Sequence, residues 1–358
     1  MVPLAWLFGK SYSRAQILER CGNVDQFGGI RLAELTDGPA RGVRTAEIRT
    51  GSGLEVQATL DRCLDLTHGS FKGIPLCWRS SVGDIHPSFY EPEGLGWLRT
   101  FAGGILATCG LTQAGAPNRD GEEELGLHGR IGTCPASRVS VTEGWAGDEY
   151  VMSISGEAKE ASVFGPHLVL CRKLTAKLGG NSILIEDRIE NRGPKVSPLM
   201  VIYHMNIGWP IVSEHSLLVA PSRDVLPRDA DAAAHLDRHT GFEAPADEFP
   251  EQVFLHDLKT DAEGRTLVGL LNHELGVGVT LRYRKADLPY FNQWKMNEKG
   301  HYVCGIEPAN CRTTGRADAR AQDELELIGP GESRLSTIEF AVVEGEELDA
   351  ITSEVAGM

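Results

Sequence analysis

Three titratable side chains share one local setting in this sequence. His128 lies in Gly126-Leu127-His128-Gly129-Arg130, His204 in Tyr203-His204-Met205-Asn206, and Glu307 in Val303-Cys304-Gly305-Ile306-Glu307-Pro308. In each, a strand or tight turn brings the group up beside Gly, Asn or Pro. An imidazole, with an ordinary pKa of ~6.5, serves as acid or base near neutrality with little adjustment. A carboxylate arriving at the end of an apolar run costs several kcal/mol of desolvation unless something binds it, which drives its pKa from ~4.3 toward neutrality. Together such groups make an acid/base pair. Each also has a plainer reading: a hydrogen-bonded core or surface His, and a Glu that caps a strand or pairs with an Arg. A metal held by His128, His204 and a carboxylate is chemically feasible, but no spacing demands it.

Further candidates surround these three. Arg62, in Thr59-Leu60-Asp61-Arg62-Cys63-Leu64-Asp65, and Arg99, in Trp97-Leu98-Arg99-Thr100-Phe101, sit among apolar residues. Their donors need a carboxylate, carbonyl oxygens or a ligand hydroxyl, and Asp61 or Asp65 is a ready partner for Arg62. Trp294 offers either a flat apolar face to a sugar ring or plain core packing. Phosphate-binding loops, a dinucleotide GxGxxG after a strand, HExxH and GxSxG are all absent.

Composition narrows the classes. The 358 residues are 41% hydrophobic, with a formal net charge of -15 and a pI near 5.2. An acidic chain without Lys/Arg runs argues against nucleic acid and against an anionic membrane surface. A small neutral partner is expected, with room left for a homo-oligomer. The apolar first ten residues lack the features of a secretory signal, and no apolar run reaches membrane-spanning length, so a cytoplasmic protein is expected. The eight cysteines, at 21, 63, 77, 109, 134, 171, 304 and 311, are widely spaced with no CxxC. That pattern suits reduced, buried thiols.

The positioning elements read as short strands. From about Ile30 onward, segments rich in Val, Ile, Leu and Thr are broken every 8 to 14 residues by Gly, Pro, Asn or Asp. This is the spacing of an all-β sandwich. Arg44–Thr50 and Leu54–Leu60 flank a hairpin turn, His167–Lys177 and Ser182–Asn191 read as strands, and the latter alternates as a strand with one buried face does. Leu199–Pro210 is an apolar strand, and Pro308 is expected to stop the ladder of the Glu307 strand. Residues 1–30 form a lead-in with one helix around Tyr12–Cys21, residues 31–350 a single domain, and residues 220–251 an acidic surface excursion carrying His235 and His239, with His256 beside it. Between Pro75 and Gly132 the text is irregular but aromatic, as an ordered functional loop would be.

His-Gly after a Gly-rich loop, Tyr203-His204-Met205-Asn206-Ile207-Gly208 at a strand end, and Gly305-Ile306-Glu307-Pro308 late in the chain resemble the aldose 1-epimerase (galactose mutarotase-like) superfamily. The DUF4432 branch is the nearest likeness, spanning about residues 30 to 345. The resemblance implies a large antiparallel β-sandwich with few short helices, a sugar cleft on one sheet, and an isomerase that opens and recloses a pyranose without metal or cofactor. It implies Glu307 as base, His204 as acid, His128 as a further active-site His, and Arg99, or secondarily Arg62, as the sugar-binding Arg, with Trp294 against the ring. The acid limb of the pH profile would then report Glu307 and the alkaline limb His204. The family's hydroxyl-gripping Asp has no clear counterpart in Pro250-Glu251-Gln252-Val253-Phe254. That departure keeps open an isomerase or lyase acting on an oxidised sugar, or a non-catalytic carbohydrate-binding protein.

Overall fold

The alternating segments become antiparallel strands in the computed structural model, which describes residues 5–358. One eight-stranded sheet runs Ser137–Ala146, Glu149–Ala161, His167–Lys177, Ser182–Asn191, Ser333–Glu344, Val277–Arg284, Arg265–Asn272, Ser216–Val219. A six-stranded sheet runs Ser222–Pro227, Gln252–Leu258, Tyr290–Glu298, His301–Ala309, Met200–Gly208, Ala107–Leu111. A five-stranded sheet uses Gly29–Glu34 through Ile74–Pro75. Among the described residues helix is confined to four short α-helices and several single 3-10 turns. None of the described helices is long and apolar enough to cross a membrane.

Inward residues of the sheets meet in one core. Ile183, Ile185 and Ile189 from the eight-stranded sheet join Tyr203, Met205 and Ile306 from the six-stranded one, all nearly inaccessible. Burying each such side chain contributes about 1.5–3 kcal/mol. Asp187 lies at an inward position of the same alternation, and Arg172 and Tyr203 make that tolerable. The guanidinium donates to its carboxylate at 2.9 and 2.7 Å, and the Tyr203 hydroxyl donates at 2.8 Å. Arg172 also reaches Asp65 at 2.9 Å, so one cation ties three elements.

Several details differ from the sequence reading. The Glu307 strand does not stop at Pro308: Pro308 faces Phe291 in the ladder and Ala309 faces both Tyr290 and Ile202. The early helix is only Arg14–Leu18, closed at its start by a Ser13/Gln16 capping box. The stretch after Pro227 is more than a surface excursion. It covers the inner side of Tyr290–Glu298, where Lys295, 1% exposed, pairs with Glu243 at 3.0 Å and Gln293 donates to the His239 carbonyl at 2.6 Å. His256 is likewise buried, bonded to Ser222 Oγ at 2.8 Å and Gln293 Oε1 at 3.1 Å. A polar inner face reads as surface in a sequence, because its partners lie some 50 residues away. All eight cysteines are unpaired and six are buried.

Candidate active site

The six-stranded sheet turns one face to the main core and the other to a second, aromatic cluster of largely buried residues, the candidate cleft, and the ladder register decides which residue goes where. Tyr203 and Met205 point into the core, so His204 points into the cleft. Met205 faces Ile306 across the ladder, which puts His204 level with Glu307 on the next strand, and Glu307 level with Asn292 on the strand after that. Nε2 of His204 lies 3.3 Å from Oε1 of Glu307, and both residues are buried. Gly305 makes room for this: a Cβ there would meet Glu307 Oε1 at 2.5 Å and the Trp294 Cβ at 2.9 Å.

His128 reaches the same cleft from a loop in a left-handed turn, with φ of 57° followed by 68° at Gly129. That conformation needs a glycine beside it, because a Cβ at 129 would sit 2.5 Å from the Gly110 carbonyl oxygen. Backbone bonds fix the turn: His128 N–H donates to Gly115 O at 2.8 Å, and Gly110 N–H donates to His128 O at 3.0 Å. Gly115 N–H also donates to His128 Nδ1 at 3.3 Å, which leaves the ring proton on Nε2, free to donate. The His128 and His204 rings are 5.5 Å apart.

Aromatic rings wall the cleft. Trp97 packs 4.7 Å from His128 and stacks on Phe101 at 4.4 Å; Phe101 and Trp294 stand 5.5 and 5.3 Å from His204; Trp78 closes the side at 6.2 Å from Trp294. Buried polar atoms nearby lack partners: His204 Nδ1, Glu307 Oε1, Trp294 Nε1 and Asn292 Oδ1. Each orphaned group costs about 1–3 kcal/mol, so their clustering on one sheet face marks a place where a polar ligand completes the bonding.

Burial governs the protonation. It drives the Glu307 carboxyl well above the usual carboxylate range, with Glu251 pushing the same way and Arg228 opposing. It lowers His204 to about 4, against a counter-effect of the Asn206 side chain, and lowers His128 well below the usual imidazole range with His204 adding to the effect. Both shifts favour the uncharged partners, a carboxylic acid beside a neutral imidazole. These directions oppose the limb assignment expected from the sequence, since they set protonation of His204 below ionisation of Glu307. Among the described residues no group of three or more His, Cys, Asp or Glu is arranged to hold a metal.

The structure brings His128, His204, Glu307 and Trp294 together, but neither arginine joins them. Arg99 sits at the end of the single turn Gly96–Arg99 that carries Trp97, with its side chain 73% exposed and paired with Glu91 at 3.1 Å. One turn cannot point both Trp97 and Arg99 inward, and the indole takes the buried side. Arg62 is buried beside Asp65, which binds Thr108 N–H at 2.9 Å; Thr108 faces Tyr203 in the ladder, so this cluster lies behind the sheet, away from His204. Asp61 and Asp65 are taken instead by Arg44 at 2.5 Å and Arg172 at 2.9 Å. The cation whose field does reach Glu307 is Arg228, held by Glu251 at 2.9 Å and Asp229 at 2.8 Å. Glu251 immediately precedes the strand Gln252–Leu258, in the stretch Pro250–Phe254 where the family's hydroxyl-gripping Asp has no clear counterpart. Trp97, Phe101, Asn292 and Arg228 were not singled out from sequence, since none sits in a periodic pattern that distinguishes cleft from core.

These features define a galactose mutarotase-like β-sandwich that buries a carboxyl and an imidazole side by side. Residues 40–342 match the model of a domain of unknown function, DUF4432, and the chain belongs to that family. Among solved structures it is similar to a candidate aldose 1-epimerase of Klebsiella pneumoniae, with 26% identity, TM-score 0.89, and coverage of 94% of this chain and 90% of that one. It shares its fold with a galactose mutarotase-like protein of Clostridium acetobutylicum (13% identity, TM-score 0.60, 89% of this chain and 100% of that one). The galactose 1-epimerase of Lactobacillus acidophilus is similar in fold too (12% identity, TM-score 0.58, 89% and 99%). No protein of curated function matches the chain.

Proposed function

We propose that this protein is an isomerase acting at the anomeric centre of an aldose, opening and reclosing the ring through Glu307 and His204. The observation that carries the reading is the 3.3 Å approach of His204 Nε2 to Glu307 Oε1 beside a buried aromatic cluster, with no arginine among the described residues paired to the carboxylate. A protein that only bound sugar would have no use for a desolvated acid opposite an imidazole. The names of the Klebsiella and Lactobacillus proteins point the same way.

The pair holds one proton throughout. Transfer from Glu307 to His204 across the contact gives carboxylate and imidazolium, stabilised when sugar hydroxyls make the cleft polar. Glu307 then takes the proton of the anomeric hydroxyl while His204 gives one to the ring oxygen, and the C1–O5 bond breaks. The open-chain aldehyde therefore forms against the same acid-plus-neutral-imidazole state that burial favours at rest. Rotation about C1–C2 presents the other face, and the two transfers run backward to close the ring. His128 Nε2–H donates to a substrate oxygen, Trp294 covers the ring, and the Arg228–Glu251 pair binds hydroxyls as donor and acceptor. Polarimetry or NMR on freshly dissolved aldoses tests the proposal: accelerated α/β exchange for at least one sugar is expected, and none across a broad panel overturns it.

A further inference from the structure

The catalytic pair occupies one end of a row of residues that crosses the sheet. From Glu307 the row continues through Asn292 and Leu255 to Leu226 on the edge strand, each level with the next in the ladder. Beyond Asn292 the surface hollows into a cavity of about 190 Å³, lined by Asn292, Leu255, Leu226, Pro289, Tyr290 and Arg312 among others. A self-standing pocket for a small ligand usually spans ~300–1,000 Å³, so this hollow, linked to Glu307 through Asn292 in the ladder, suits one part of a larger site. At ~30 Å³ per water it has room for about six, enough for part of a sugar ring.

Its chemistry is specific. Asn292 is 1% exposed, and its Oδ1 has no partner while its NH2 donates to the Cys311 carbonyl at 3.4 Å. That buried acceptor calls for a donor from the ligand. Leu255, Leu226, Pro289 and Tyr290 give an apolar lining suited to the C–H face of a ring. The cation at the rim is already matched: Arg312 lies 5.3 Å over the Tyr290 ring and pairs with Glu324 at 2.9 Å. Asp224 and Asp257 add acceptors at the edge, Asp257 holding Lys285 at 2.5 Å. An anionic group finds no free cation here, whereas a hydroxylated neutral ring finds acceptors and an apolar wall.

We infer that the cavity beside Asn292 is a second sugar subsite, so that the substrate is a reducing disaccharide whose reducing ring sits at Glu307 and whose glycosyl ring lies against Leu255 and Tyr290. The inference rests on the proposed reaction at Glu307 and His204. It predicts that kcat/KM for anomer exchange of a 4-O-glycosylated aldose, among maltose, cellobiose and lactose, exceeds that of glucose and galactose by about tenfold or more, the scale of a filled pocket. Leu226 is 49% exposed at the cavity rim, so Leu226→Trp narrows the hollow without entering the core. That variant should lower the disaccharide-to-monosaccharide ratio of kcat/KM about tenfold. Equal or better use of monosaccharides, with the ratio unmoved in Leu226→Trp, overturns the subsite while leaving the reaction standing. Should no sugar be turned over, the reaction fails, and saturation-transfer NMR with maltose decides the subsite separately. Contacts to the glucosyl ring that vanish in Leu226→Trp support it, and absence of disaccharide binding overturns it.

Discussion

A carboxyl and an imidazole buried 3.3 Å apart titrate as a coupled pair with macroscopic pKa values. Its one-proton state is bounded below by charging of His204, lowered to about 4, and above by ionisation of Glu307, raised from its ordinary value. Both charged end states are disfavoured by burial. The plateau of kcat/KM against pH should accordingly be broad, falling on the acid side near about 4. Arg99 makes the opposite kind of prediction. An exposed pair such as Arg99–Glu91 contributes about 0–1 kcal/mol, so Arg99→Ala should leave turnover and thermal stability nearly unchanged. A large loss of kcat/KM in that variant would restore it to the cleft.

The strand His301–Ala309 shows what an element contributes and how much of it can be read in advance. Val303, Cys304 and Ile306 announce a buried strand, and Glu307 stands out as the polar residue in it. What the letters do not give is the face, because every residue of that strand except His301 is buried and alternation is lost. Only the ladder to Met200–Gly208 sets Glu307 level with His204. Gly305 is a consequence of that pairing: a methyl group there collides with Glu307 Oε1 at 2.5 Å. Gly305→Ala should therefore cost about 1–3 kcal/mol of stability and cut kcat more than it weakens sugar binding, read by denaturant unfolding alongside kinetics. Trp97 and Arg99 share a single turn, and a turn has no period from which to tell the inward residue. That is why the letters point to the guanidinium and not to the indole.

At the scale of the whole molecule, alternation and turn spacing were enough for the all-β sandwich, since Ser182–Asn191 and His167–Lys177 wear one buried face openly. The polar interior was not legible. Arg172 is 1% exposed and holds Asp65 and Asp187 together, joining residues more than 100 positions apart. Arg172→Met would leave two buried carboxylates unpaired and should destabilise the fold by about 3–5 kcal/mol, measured by urea unfolding. His256, buried and lowered from 6.5 to about 3, gives a pH effect of known sign. Its neutral form is held by the fold, so the unfolded chain takes up the proton first. Its contribution to stability is complete above about 6.5 and is lost as pH falls toward about 3. His256→Gln should accordingly narrow its stability deficit against the native protein between pH ~7 and ~4, followed by thermal unfolding.

The account turns on Glu307 moving a proton, and one comparison tests that most directly. Turnover of Glu307→Gln is measured by NMR anomer exchange on a sugar the native protein uses, with binding of the same sugar by calorimetry. A positioned acid or base contributes ~10²–10⁴-fold, so kcat should fall by at least about 100-fold while Kd changes little, Gln keeping the shape of the side chain. Near-native turnover in the variant would contradict the account and reduce Glu307 to a buried strand residue.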